Sequence, residues 1–374
     1  MKQYIYADNA ATTKLDDKAF EAMIPWLTEE YGNASQPYAF ARKPKKALQE
    51  ARETIARCIN ALPEEIYFTS GGTESDNWAI KGSAYNNIEK RATITSTIEH
   101  HAVLNACAAI ERLGYPVAYV YPQKDGVITP EALDSVITDR TKLVSIMFSN
   151  NEIGTVNPIR DLARVAHNHG AIFHTDAVQA VGHIAIDVQA LGIDMLSASA
   201  HKFNGPKGIG FLYIRKGTPI ARFNDGGAQE FGMRAGTENV AAIVGMSVAL
   251  KANTEQIEMI SEYIMALESQ LINELNGYNI DYIRNGSENH IPGNISLSFK
   301  GCDGEAILHR MDLKGISIST GSACDSVNTQ ISHVIEAIGV SDEYAQGTIR
   351  ISLGKNNTED DVLKIAHALS EIVK

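Results

Sequence analysis

"KLVSIMFSNNEIGTVNPIRDLARVAHNHGAIFHTDA", residues 142–177, holds the pattern that sets the fold. A β-rich apolar run (142–149) gives way to a helical pattern over Ile159–Asn168, and a second apolar run (171–177) follows, carrying Asp176. Strand, helix and strand in that order make one unit of a parallel sheet, with the helix as crossover. The alternation continues in both directions. Upstream lie "EIYFTS" (65–70), "ATITST" (92–97) and "VAYVYP" (117–122), with helical patterns at Glu74–Tyr85, Ala102–Leu113 and Pro130–Val136. Downstream lie "DMLSASA" (194–200) and "IGFLYI" (209–214). These runs predict an α/β fold, a mainly parallel seven-stranded sheet sandwiched by helices. Ligands of such sheets gather at the carboxyl ends of the strands.

After "GTEN" (236–239) the pattern changes. A helical stretch from about Val240 to Leu275, with a break, precedes "YIRN", "NISLSF", "GISIS" and "TIRISLG", with helices around Gly304–Leu313 and Thr358–Val373. This mixture predicts a smaller α+β domain. The expected division is 14–255 for the large domain, and 1–13 with 256–374 for the small one, the first residues returning to it.

The 374 residues are 44% hydrophobic and carry a net charge of −12, ordinary for a globular protein and too many for one undivided core. The acidic balance argues against a nucleic-acid backbone as main partner, since such binding needs clustered Lys and Arg, so no direct nucleic-acid partner is expected. The first residues lack the apolar region of a signal peptide, and no apolar run approaches the roughly 18 residues of a membrane helix. The four cysteines, Cys58, Cys107, Cys302 and Cys324, are scattered without C-x-x-C, which suggests neither a disulfide framework nor a zinc site. The expectation is a reduced, cytoplasmic compartment without membrane contact.

Four strand ends carry polar residues where the apolar pattern stops. In "TSGGTESDN" (69–77), glycines between a strand and a helix offer backbone N–H groups to an anion such as phosphate, or simply cap the helix. In "FHTDAVQAVG" (173–182), Asp176 caps a helix or holds a protonated ring nitrogen. In "SASAHKFNGPKGIG" (197–210), Lys202 at a strand end is a candidate Schiff-base amine, whereas Lys207 reads as a turn residue. In "STIEHHAV" (96–103), His100 and His101 enter a helix pointing in different directions, so that one can cover a flat ring. Anion cradle, ring acid, Schiff-base lysine and stacking imidazole are together far more specific than any one of them. A lone thiol, Cys324, stands apart among small polar residues in "ISISTGSACDS" (316–326).

These motifs resemble the NifS/IscS-like, or group I, cysteine desulfurases, in the class V aminotransferase family of fold-type I pyridoxal phosphate enzymes. The resemblance runs along the whole chain, through "YADNAATT" (6–13), "YGNAS" (31–35), "FTSGGTESDN" (68–77), "EHHAVL" (99–104), "SNNEIGTV" (149–156), "DAVQAVG" (176–182), "SASAHKFNGPKGIG" (197–210), "GMRAGTEN" (232–239), "STGSAC" (319–324) and "IRISLG" (349–354). It implies pyridoxal 5'-phosphate carried on Lys202, stacked by His100 and paired through its ring nitrogen with Asp176. It implies Asn151 and Gln179 on the phenolic oxygen, and Gly72, Thr73, Ser199 and His201 on the phosphate. Thr237 would reach the phosphate of a second subunit, so a homodimer is implied. Asn33 and Arg350 would bind the carboxylate of L-cysteine, the arginine through its fork. Cys324 would take the substrate's sulfur as a persulfide and pass it to an acceptor, such as an iron–sulfur scaffold protein or a tRNA-thiolation enzyme. No metal is implied in the resting enzyme, although Cys324 could ligate an iron–sulfur cluster transiently in a partner complex. Two positions depart from the family pattern: Ala228 and Phe231 stand where a glycine and an arginine are usual. Selenocysteine lyase, cysteine sulfinate desulfinase, aminotransferase and a non-enzymatic sulfur-delivery scaffold are the competing readings.

Overall fold

The computed structural model describes residues 4–86, 92–321 and 331–373. In chain order, β1 (Ile5–Tyr6) precedes helices α1 (Asp17–Thr28) and α2 (Arg42–Cys58). Strands and helices then alternate: β2 (Ile66–Thr69), α3 (Gly72–Tyr85), β3 (Ala92–Ser96), α4 (His101–Arg112), β4 (Val117–Val120), α5 (Pro130–Asp134), β5 (Thr141–Ser145), α6 (Ile159–Asn168) and β6 (Ile172–Asp176). Next come β7 (Met195–Ser199), β8 (Gly210–Ile214), α7 (Val240–Thr254) and α8 (Ile257–Gly277). The rest is β9 (Tyr282–Asn285), β10 (Asn294–Phe299), α9 (Gly304–Leu313), β11 (Ile316–Ser317), α10 (His333–Ala337), α11 (Asp342–Ala345), β12 (Thr348–Ser352) and α12 (Glu359–Ile372).

The main sheet has seven strands in the order β2-β8-β7-β6-β5-β3-β4. All pairings are parallel except those of β8, which runs antiparallel to both β2 and β7. Every residue of β5, β7 and β8 is buried, as strands covered on both faces must be. Successive side chains point to opposite faces. Leu143, Met195 and Leu212 therefore join Trp78 of α3 and Val103 of α4 on one face. Val144, Phe173, Leu196 and Phe211 join α2, α6 and α7 on the other. Helix α6 serves that second face with Ile159, Leu162, Ala163 and Ala166, a single stripe at helical spacing.

The antiparallel sheet β12-β10-β9 and the parallel pair β1-β11 share a second core with α8, α9 and α12. The predicted break in the long helix falls between Thr254 and Ile257. Met246 and Leu250 before the break lie in the first core, and Leu267 and Leu271 after it lie in the second. Val334, Ile335 and Ile338, on and just after α10, return to the first core. No described helix is long and apolar enough to cross a membrane.

Candidate active site

The carboxyl ends of β2, β3, β5, β6 and β7 open into one cavity of about 590 Å³. The turn from β2 into α3 depends on Gly71, whose φ of 148° and ψ of −174° suit glycine alone. This turn aims the free N–H groups of the first turn of α3 at the cavity, where Gly72, Thr73, Ser199 and His201 are part of the wall. Gly210 of β8 lets the backbone close in from behind: a Cβ there would meet the Ala198 carbonyl oxygen at 2.3 Å and Gly71 Cα at 2.7 Å.

Lys202 follows β7 in a tight turn. Its Nζ donates to the carbonyl oxygens of Ala10 (2.6 Å) and Ala11 (2.9 Å). The amine thus lies beside the "YADNAATT" segment, which is also pinned by the bond from Thr13 N–H to the His201 carbonyl (2.9 Å). His201 Nδ1 bonds with the Thr12 hydroxyl at 3.1 Å. Burial, then the cations of Lys202 and Lys207, push the His201 pKa down to about 4, so the ring is neutral at pH 7.

Asp176 ends β6 and is 5% exposed. One carboxylate oxygen accepts from Val178 N–H at 2.9 Å. Burial raises its pKa, while His100, the Val178 N–H and Lys202 pull it back. His100 caps α4, with Nδ1 accepting from Ala102 N–H at 3.1 Å. That bond assigns the proton of the neutral ring to Nε2. Burial is the main cause of its lowered pKa, against the pull of Asp176.

Further buried polar groups lie around Asp176. His174 hydrogen-bonds Ser145 (2.8 Å) and Ser197 (3.0 Å), and burial pushes its pKa down to about 3. Asp76 of α3 is raised well above the carboxylate range by burial and by Asp176. Glu99 accepts from Ser96 Oγ (2.7 Å) and Met147 N–H (2.9 Å), and burial raises it to about 8. Burial is thus the first cause that disfavours the charged form of each of these groups, as it is for Asp176.

On the side of the second core, Arg350 of β12 donates from one terminal nitrogen to the Asn151 carbonyl (2.9 Å) and from the other to Asp8 (2.7 Å). Gln179 donates to the Ala10 carbonyl at 2.9 Å. The cavity thus brings together Gly72, Thr73, His100, Asn151, Asp176, Gln179, Ser199, His201, Lys202 and Arg350. Lys207, read from sequence as a turn residue, also lines it. Asn33 is half-buried outside the cavity wall and accepts from Ser35 N–H. Thr237 is exposed and also outside it; the resemblance assigned it to a second subunit's site. Cys324 lies outside the described residues. Sequence reasoning passed over Asp8, Asp76, Glu99 and the carbonyls of Ala10 and Ala11. Asp8 stands in a quoted motif, but backbone carbonyls leave no mark in a sequence.

The model of the class-V aminotransferase family matches residues 5–365. The chain is 46% identical to a cysteine desulfurase IscS of Methanosarcina thermophila, over 99% of this chain and 92% of that one. A solved structure described as a NifS-like protein superposes with a TM-score of 0.93 at 38% identity, covering 99% of each chain. Another, described as SspA in complex with cysteine, has a TM-score of 0.84 at 38% identity, covering 95% of this chain and 100% of that one. Identity of this degree over nearly the full length, on the same fold and with most of the family's motifs meeting in one cavity, makes this chain a member of the class-V aminotransferase family and, within it, of the cysteine desulfurases.

Proposed function

We propose that this enzyme uses pyridoxal 5'-phosphate to move the sulfur of L-cysteine onto Cys324, leaving alanine. The observation that carries the reading is the conjunction in one cavity of a strand-end lysine, a buried acid, a helix N-terminus and an arginine fork. These groups fit the cofactor. Ionising Asp176 is penalised by burial, a cost that a protonated ring nitrogen would offset. The glycine turn with Ser199 and His201 suits the phosphate, Asn151 and Gln179 a phenolic oxygen, and His100 the ring face. Lys202 would hold the group covalently. Bound there, it supplies an electron sink conjugated to the substrate's α-carbon.

The chain's own residues do the rest. Arg350, which lines the cavity, takes the substrate carboxylate. Lys202 removes the α-proton and returns one to the same carbon before alanine leaves, and His100 relays protons through Nε2. The Cys324 thiolate attacks the substrate sulfur: the S–S bond forms, the Cβ–S bond breaks, and its electron pair stays on Cβ, which takes a proton to become the methyl of alanine. A thiol of ordinary pKa, about 8.5, needs a base for this step. Two copies of the chain would complete each other's sites through Thr237. A sulfur acceptor in the cytoplasm, such as an iron–sulfur scaffold or a tRNA-thiolation enzyme, would take the persulfide.

The test is incubation with L-cysteine, followed by mass spectrometry of Cys324 and alanine assay. One sulfur added at Cys324 and alanine in equal amount are expected. Lys202→Ala should lose the visible cofactor band. A Cys324→Ala protein that released sulfur at the full rate would remove the thiol from the mechanism.

A further inference from the structure

Glu152 follows Asn151 in the turn after β5, and it is 4% exposed. A carboxylate so buried needs partners. One oxygen, Oε2, accepts from the Ser332 hydroxyl at 2.5 Å. The same oxygen lies where a Cβ on Gly321 would sit 2.4 Å away. Gly321 is the last described residue before 322–330, and Ser332 is the second described residue after it. One buried carboxylate oxygen therefore touches both ends of the segment that contains Cys324.

Each contact is fixed from behind. The Ser332 hydroxyl also accepts from Val334 N–H at 3.1 Å, capping α10. The Glu152 and Ile153 N–H groups donate to Asn150 Oδ1 at 2.8 and 3.1 Å, and Asn150 Nδ2 donates to the Ile98 carbonyl at 2.8 Å. Asn151, between them, lines the cavity and receives Arg350.

We propose that Glu152 is a positioning residue for sulfur transfer: its carboxylate clasps the two ends of the Cys324 segment to the turn that carries Asn151. The proposal rests on the persulfide reading above. A misplacement of about 1 Å costs on the order of a hundredfold in rate when the reacting groups must meet in one geometry.

The test is a single-turnover measurement of persulfide on Cys324 in the cofactor-loaded enzyme, beside the cofactor band and the spectral response to L-cysteine. Glu152→Ala is expected to slow persulfide formation by about ten- to a hundredfold while keeping both spectra. Glu152→Gln, whose amide oxygen still accepts from Ser332, should retain most of the rate. Gly321→Ala should slow the wild-type enzyme, because its methyl meets the carboxylate, but add nothing to Glu152→Ala. Persulfide formed at the wild-type rate in Glu152→Ala, or Gly321→Ala equally harmful in both backgrounds, would overturn the clasp. If Glu152→Ala fails to fold, Ser332→Ala and Gly321→Ala, which leave the carboxylate in place, decide by the same readouts. A wild-type enzyme that made no persulfide would instead bring down the reading beneath the proposal.

Discussion

Glu99 shows what the interior beside the cavity does to a single side chain. One oxygen is satisfied by Ser96 and Met147, while Oε2 is buried without a partner among the described residues. Its pKa rises from the ordinary 4.5 to about 8, mainly through burial. Between those two values the folded chain holds a proton that the unfolded chain has released. The unfolded state binds fewer protons there, so this group's contribution to stability falls as pH rises from 4.5 to about 8. Glutamine keeps the acceptor for Ser96 and Met147 but cannot ionise. The stability of Glu99→Gln relative to wild type should therefore increase with pH across that window, by more than about 1.4 kcal/mol, the worth of one pKa unit. Denaturation of both proteins at pH 5 and pH 8 measures it, and a gap that does not change with pH would mean Glu99 is not held protonated. The residues legible in the sequence were those with a side-chain signature at a strand end, Lys202, Asp176 and His100. Asp76 and Glu99 were not, because an acid near a helix start reads as an ordinary terminal charge. Only the fold turns them inward.

At the scale of elements, the strand–turn–helix of β2 and α3 has its critical point at Gly71. An L-residue is strained at its φ of 148°, and a Cβ would lie 3.4 Å from Ser199 Oγ, itself part of the cavity wall. Gly71→Ala should cost on the order of 1–3 kcal/mol of stability and loosen the cofactor at its phosphate end. Thermal denaturation and the rate of cofactor loss on dilution measure the two effects; unchanged cofactor retention would mean that the turn does not form the anion site. The strands of the main sheet were read to within a few residues because fully buried strands are short, continuous apolar runs. Helices α1 and α2 were not singled out. Pro25 lies inside α1, and α2 opens on the basic run "RKPKK" with Pro44 near its start, so both lack a clean entry signal. The departure at Phe231 has a physical account in the fold. Glu230 and Phe231 both have positive φ, and the Arg52 guanidinium stacks over Phe68 (4.3 Å) and Phe231 (5.0 Å) while pairing with Glu230 (2.7 Å). The aromatic ring covers a cation that the chain needs to fix this loop.

At the scale of the molecule, the site is made by two cores rather than one, and Arg350 is the joint. It grows from β12 in the second core, yet its guanidinium ends on the Asn151 carbonyl of the turn after β5 and on Asp8 near the N-terminus. Its Nε is buried without a partner among the described residues. It is 5% exposed, so the cost of burying its charge is offset by these fixed partners and, in the proposed reaction, by the substrate carboxylate. A lysine would keep the charge but cannot span both contacts with a planar fork and still present a donor pair to a carboxylate. Arg350→Lys should therefore raise KM for L-cysteine by about tenfold or more, equivalent to about 1.4 kcal/mol of lost binding, and leave the cofactor band unchanged. Steady-state kinetics with the spectrum taken on the same sample separates the cases. An unchanged KM would remove Arg350 from substrate binding and leave it as a tie between the cores. A lost cofactor band would instead show that the tie to Asn151 holds the cofactor side of the site, and that the two cores meet through the cofactor before they meet the substrate.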